Sequence, residues 1–203
     1  MSPENTTSEY LDLPLNEFLE LVASSGPAPG GGSVAAVGVA LAAGLAGMAA
    51  RLSTDQLADA SELADRADAS RRRVAPLARA DAEAYGRVLD AYRLPRQPDS
   101  ESRMKHLREA LSGAADVPLA IAEAGSEVAD IAARLVEEGN PNLRGDATAA
   151  VFLAEAGVRA ATVLVEINLS SANVEDDRPG RANELVDKTA ASVRRATEDH
   201  RPG

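Results

Sequence analysis

Asp81 sits where hydrocarbon is expected. Val74, Leu77, Asp81, Tyr85, Val88 and Tyr92 follow one another at three- and four-residue spacing, which places them on one stripe of a helix. A carboxylate turned toward a core is costly unless it is paired or protonated. The pattern admits two readings. Asp81 is a structural acid bonded to a neighbouring helix end or an arginine, or it is a proton-transfer group with a tuned pKa. A second feature has its own chemistry. Pro27 and Pro29 lead into Gly30, Gly31, Gly32 and Ser33, and an uncharged alanine-rich run follows to Ala50. The prolines and glycines oppose helix, and the alanines favour it. Ser33 suits a helix N-cap, and the free N–H groups of such a helix start can receive negative charge or a carbonyl.

Two more polar groups bracket an apolar stripe. Asp146, Ala150, Leu153, Gly157, Ala161, Leu164 and Asn168 share one helix face. Asp146 reads either as a first-turn acid favoured by the helix dipole or as a ligand contact. Asn168 reads either as a cap or interhelical hydrogen bond, or as a ligand contact. Asn140, Pro141 and Asn142 form a turn signal that can also present two amides to a ligand. Arg71, Arg72 and Arg73 read as a solvated face, with binding of an anionic tail as the alternative.

The elements that must position these groups are helical. A first helix is expected from Pro14 to Ala23, with Leu15, Phe18, Leu19 and Val22 on one face. The central helix follows from Ser33 to Ala50, buried on most sides. Ala36, Ala40 and Gly44 recur on it at four-residue spacing, where two helix backbones can approach closely. A third helix is expected over Thr54–Tyr92 with a break near Pro76, then a loop over Leu94–Asp99. A fourth spans Ser100–Glu138 with a kink at Pro118. A fifth runs from Arg144 to Ser170, a polar connector covers Ser171–Gly180, and a sixth runs from Arg181 to Asp199 with Leu185, Thr189 and Val193 inward. No useful period-2 alternation and no repeat occurs. The expectation is an all-α bundle of about six helices, two of them long and kinked at proline. Residues 1–10 read as a disordered segment and 11–203 as one helical domain.

Composition narrows the function classes. The chain has 203 residues, no Trp, two Phe and three Tyr, a core composition suited to closely packed helices rather than a sheet. A net charge of −11 argues against nucleic acid and against an anionic membrane surface. Without Cys there is neither disulfide nor thiol chemistry. His106 and His200 lie far apart, and no metal-ligand cluster is visible, so no metal is expected. Met1–Asn16 lacks a basic n-region and an apolar h-region, and the expected location is cytoplasmic. The uncharged run near Ser33–Ala50 has about the minimum length of a membrane span. Its Ala and Gly content and the absence of an aromatic belt favour a buried helix of a soluble protein instead.

These pieces together resemble the cyclodeaminase/cyclohydrolase family. That family comprises the C-terminal domain of formiminotransferase-cyclodeaminase and stand-alone methenyltetrahydrofolate cyclohydrolases. The matching segments are Pro27–Ser33, Asp81-Ala-Glu-Ala-Tyr85 with Leu94-Pro95, Val117-Pro118-Leu119, Gly139–Asn142 with Asp146-Ala147, and Ile167-Asn168-Leu169. They stand in the family's order from the first helix to about Asn173. The resemblance implies an all-helical homodimer acting on a tetrahydrofolate derivative. Either water opens 5,10-methenyltetrahydrofolate to the 10-formyl form, or 5-formiminotetrahydrofolate cyclises with loss of ammonia. Both reactions pass through a tetrahedral carbon between two nitrogens, and one carboxylate can move the protons. The family's catalytic aspartate maps onto Asp81. Gly30, Gly31, Gly32, Ser33, Tyr85, Asn140, Asn142, Asp146 and Asn168 map onto substrate contacts. No metal and no organic cofactor is implied.

Three departures from the family pattern bear on the substrate. Thr54–Asp59 lacks the family's basic pair and aromatic, Gly145 replaces a Ser, and Leu164 replaces an Asn. The chemistry is expected to persist with a substrate that can differ from ordinary polyglutamated folate. The alternative is a non-catalytic helical dimer of the same family that binds a folate-like or other small ligand. The lack of an attached formiminotransferase domain favours the stand-alone cyclohydrolase.

Overall fold

Proline and glycine placement divides the chain into its helices. The computed structural model describes residues 10–95 and 100–198. Within them lie eight α-helices and no strand: α1 (Leu15–Ala23), α2 (Gly31–Arg51), α3 (Ala60–Val74), α4 (Leu77–Arg93), α5 (Ser100–Ala114), α6 (Asp116–Glu138), α7 (Arg144–Ala172) and α8 (Arg178–Glu198). The architecture is all-α, as the patterning implied. Of the expected disordered segment, only Tyr10 falls among the described residues, and it opens a short 3-10 turn. His200, the end of the sixth expected helix at Asp199 and most of the Leu94–Asp99 loop lie outside the described residues.

The six expected segments become eight because both long helices divide fully. The third breaks at Ala75–Pro76, where the proline removes a backbone donor and starts α4. Thr54–Asp59 is a run of turns rather than helix, so α3 begins only at Ala60. The fourth breaks at Ala115 and not at Pro118. Pro118 occupies the first turn of α6, where a proline's missing N–H has no helical partner to lose. Pro179 stands likewise at the second position of α8, which therefore starts at Arg178 rather than at Arg181.

The core is built from small side chains that let helices approach. Ala36, Val39, Ala42, Ala43 and Ala46 of α2 are fully buried, with Val128, Ala129 and Ala132 of α6 and Val151, Ala154 and Val158 of α7 in the same cluster. The small-residue face of α2 is expected to meet another helix either within the subunit or across a dimer; among the described residues a Cβ on Gly44 would meet nothing within 4 Å, so Gly44 makes no such contact within the subunit. Within the core, tight helix–helix contacts lie at Gly157, where a Cβ would strike the Val39 side chain, and at Gly125, where it would strike Val158. On α8, Thr189 is buried, and Leu185 and Val193 pack against the core, as the pattern implied.

α2 and the segment Pro141–Ala172 are each long and apolar enough to cross a membrane, with 56% and 44% of their most apolar windows buried inside the bundle. Both are core helices with one uncovered face. On α2 that face holds Val34, Leu41 and Met48; on α7 it holds Phe152, Val163 and Ile167.

Candidate active site

The site forms where α4 crosses the start of α2. α2 begins at Gly31 after the cap residue Gly30, so Ser33 is inside its first turn and is not the N-cap. Its cap comes from another helix. The Ser33 N–H donates to Asp81 Oδ2 at 3.0 Å, and the Ser33 hydroxyl, 3.3 Å from the same oxygen, donates to the Ala78 carbonyl at 2.6 Å. Asp81 thus performs on α2 the role that a capping side chain performs on its own helix. Gly31 and Gly32 keep N–H groups that the helix geometry leaves without an intrahelical carbonyl.

Gly32 makes this approach possible. A Cβ there would fall inside the Asp81 carboxyl group. Burial pushes the Asp81 carboxyl above the ordinary aspartate value, and the nearby Ser33 hydroxyl and N–H oppose that rise only in part. The structural reading of Asp81 therefore holds, since it caps a neighbouring helix end, and its proton affinity is raised as well.

Asp81 opens onto a cavity of about 330 Å³ lined by Pro27, Ala28, the three glycines, Tyr85, Ala114, Leu164, Ile167 and Asn168, among others. The stripe that picked out Asp81 does not run wholly inward. Val74 and Val88 are buried, whereas Tyr85 is 46% exposed at the cavity edge and Tyr92 is 51% exposed. The break at Pro76 shifts the helical phase, and Ala78, Ala84, Val88 and Ala91 form the buried face of α4. Asn168 makes the interhelical hydrogen bond, its Nδ2 donating to the Ala114 carbonyl at 3.1 Å, and it also lines the cavity.

Asn140, Asn142 and Asp146 do not line this cavity. They stand at the opposite end of α2, a helix about 30 Å long at 1.5 Å per residue. The Asn140 N–H donates to Ser53 Oγ at 2.9 Å, its Nδ2 donates to the Leu52 carbonyl at 2.8 Å, and its Oδ1 accepts the Asn142 N–H at 3.0 Å. Asp146 lies in the first turn of α7. Arg71 and Arg73 belong to a solvated face, paired with Asp68 and Glu127. Of the three family departures, Leu164 alone touches the cavity.

Tyr10 is a neighbour that the sequence did not reveal. It packs against the core and edge-on to Phe18 at 5.9 Å. Burial and the nearby Asp81 charge raise its phenol pKa, and Arg79 opposes the rise. It precedes every periodic segment, so no spacing marked it. Among the described residues no group of three or more His, Cys, Asp or Glu is placed to hold a metal ion.

Comparison with known proteins places the fold and the family. The formiminotransferase-cyclodeaminase family model matches residues 14–185. The chain is 37% identical over 162 residues to methenyltetrahydrofolate cyclohydrolase of Methylorubrum extorquens, covering 76% of this chain and 78% of that protein. It is 35% identical over 172 residues to rat formimidoyltransferase-cyclodeaminase, covering 78% of this chain and 31% of that longer protein. The crystal structure of formiminotetrahydrofolate cyclodeaminase from Thermotoga maritima superposes with a TM-score of 0.83 at 27% identity, over 94% of this chain and 96% of that one. An acid that caps a glycine-lined helix mouth thus stands within a fold and a sequence pattern shared along most of the chain: the protein belongs to the formiminotransferase-cyclodeaminase family.

Proposed function

We propose that the chain is a folate one-carbon enzyme that hydrolyses 5,10-methenyltetrahydrofolate to 10-formyltetrahydrofolate, with Asp81 as its proton handler. The observation that carries the reading is the half-buried Asp81 carboxyl at the α2 mouth, facing a cavity that a small polar ring system can enter. The relative covered over 78% of its length is a methenyltetrahydrofolate cyclohydrolase, which favours water addition over ammonia loss.

The chemistry follows from the groups present. The methenyl carbon is cationic between N5 and N10, and the Asp81 carboxylate offsets that charge. Water attacks the carbon as Asp81 takes one of its protons, a general-base role. The Gly31 and Gly32 N–H groups, at the positive end of α2, donate to the oxygen as negative charge develops on it. Asp81 then returns a proton to N5, the C–N5 bond breaks, and the hydroxyl proton leaves as the formyl carbonyl forms. One proton is released overall. The route asks only for proton transfer and polar stabilisation, so the reading assigns no metal and no organic cofactor.

The cavity is at the lower end of the range of about 300–1,000 Å³ for small-molecule sites. It takes the reactive ring head, and the rest of the substrate extends past Tyr85 and Ile167, both exposed at its edge. Leu164 makes one wall more apolar and shifts preference among folate derivatives. The working form is a homodimer closed over the uncovered faces of α2 and α7, located in the cytoplasm. α2 carries no charge from Gly31 to Ala50, and monomers rarely expose so continuous an apolar patch.

The test is a substrate comparison. Purified protein is offered 5,10-methenyltetrahydrofolate and 5-formiminotetrahydrofolate separately. Faster turnover of the first supports the reading. Faster release of ammonia from the second replaces hydrolysis by cyclodeamination, and binding of both without turnover supports the non-catalytic alternative.

A further inference from the structure

The first residue of α8 is one that the site depends on from behind. Arg178 is largely buried, with a side-chain exposure of 14%. Its guanidinium uses all five donors. Nε and Nη2 hold the two Asp176 carboxylate oxygens at 2.9 and 2.7 Å. Nη2 also reaches Ser112 Oγ at 2.8 Å, and Nη1 reaches the Ser112 carbonyl at 2.8 Å and Asp116 Oδ1. Those bonds hold Asp176 well below the ordinary aspartate value, at about 2, so the clamp stays charged at neutral pH.

Ser112 and Asp116 flank Ala114 by two residues on either side, at the break between α5 and α6. A helix break has lost the ladder that would fix its carbonyls, so an outside group must hold it. Ala114 is a wall of the cavity, and its carbonyl accepts the Asn168 Nδ2 bond. That bond also fixes which way the Asn168 amide points. Only the NH2 end can face a carbonyl, which leaves Asn168 Oδ1 as an acceptor with no hydrogen-bond partner among the described residues.

We infer that Arg178 is a positioning residue of the site. Its forked contacts fix the α5–α6 joint, the joint fixes the Ala114 carbonyl, and that carbonyl orients Asn168 so that Oδ1 accepts an N–H of the bound substrate. Lysine cannot replace it, because an ammonium has three donors around one point and lacks the planar fork. The inference rests on the proposed hydrolase reading.

The experiment compares kcat and KM for 5,10-methenyltetrahydrofolate, with thermal melting, across five full-length proteins. They are the wild type, Arg178→Lys, Arg178→Ala, Asn168→Ala and the Arg178→Ala/Asn168→Ala double variant. Arg178→Ala raises KM by about tenfold or more, the scale of one lost hydrogen bond in a site, while kcat per folded molecule changes far less. Arg178→Lys falls between the wild type and Arg178→Ala, and it carries the test if the alanine variant does not fold. The double variant is no worse in KM than the weaker single variant, because both act on the same contact. Lowered melting with unchanged KM, or effects in KM that multiply, overturns the inference and leaves the proposed function standing. A folded wild type inert toward this substrate overturns both.

Discussion

Gly32 and Asp81 meet backbone to side chain with no space between them, since a Cβ on Gly32 would lie inside the Asp81 carboxyl group. Gly32 is buried in the first turn of α2 at the cavity wall, and Asp81 is held there by the Ser33 N–H at 3.0 Å. The glycine is required for the approach, not for an unusual backbone angle. Gly32→Ala must push the carboxyl away from the helix mouth. The expected result is a loss of methenyltetrahydrofolate hydrolysis of about a hundredfold or more, as for a misplaced catalytic group. Overpacking is expected to lower stability by about 1–3 kcal/mol. Steady-state rates and denaturant melts read the two effects separately, and unchanged kinetics would refute the contact's role.

Asp81 should make the protein less stable at neutral pH than its isostere does. The folded carboxyl has its pKa raised above the ordinary 3.8, chiefly by burial. Between the ordinary and the raised value the folded state binds more protons than the unfolded one. Stability therefore falls as pH rises through that window and stays lowered above it. Asp81→Asn removes the charge and the window together. Its melting temperature should exceed that of the wild type at pH 7, with the gap closing by about pH 3, where both side chains are neutral. A gap of equal size at both pH values would contradict this.

Gly157→Ala separates packing from chemistry. An added Cβ would strike Val39 in the middle of α2, far along the helix from Gly31. Stability should drop by about 1–3 kcal/mol while kcat per folded molecule is kept. Urea unfolding followed by two probes checks it, and a fully stable variant would show that the α2–α7 contact yields more readily than a close-packed core should.

Leu41 lies at the centre of the uncovered α2 face and is 60% exposed. If two chains close over that face, Leu41→Lys buries a charge at the interface and yields monomer. Sedimentation equilibrium should give twice the chain mass for the wild type and one chain mass for the variant. Equal masses for the two would place the interface elsewhere or remove it.

How much was readable in advance depended on the range of each interaction. The helical class followed from local patterning, and Asp81 stood out because one acid interrupts a stripe. The glycine turn was readable for the same local reason. What spacing could not show was that Asp81 itself caps α2, since the Ser33–Asp81 contact joins residues 48 apart in sequence. Pro118 was misread as a kink because a proline in a first turn and one in a helix interior look alike until the helix start is known. Spacing marked Gly44 as a contact glycine, within the subunit or across it; within the subunit it is Gly157 and Gly125 that sit tight against Val39 and Val158, and spacing does not show those partners. Asn140, Asn142 and Asp146 were grouped with the site by family resemblance, and in one chain they stand at the far end of α2 from it. Arg178 lay in a stretch read as polar connector, because its three partners, Asp176, Ser112 and Asp116, come from separate segments.

The most direct test of the account is the rate of 5,10-methenyltetrahydrofolate hydrolysis by the wild type and by Asp81→Asn, measured at saturating substrate on proteins shown to be folded. The account predicts a fall of about 10²–10⁴-fold in kcat, the usual contribution of a general base, and loss of the wild type's rise in rate with pH. Equal rates for the two proteins would contradict it.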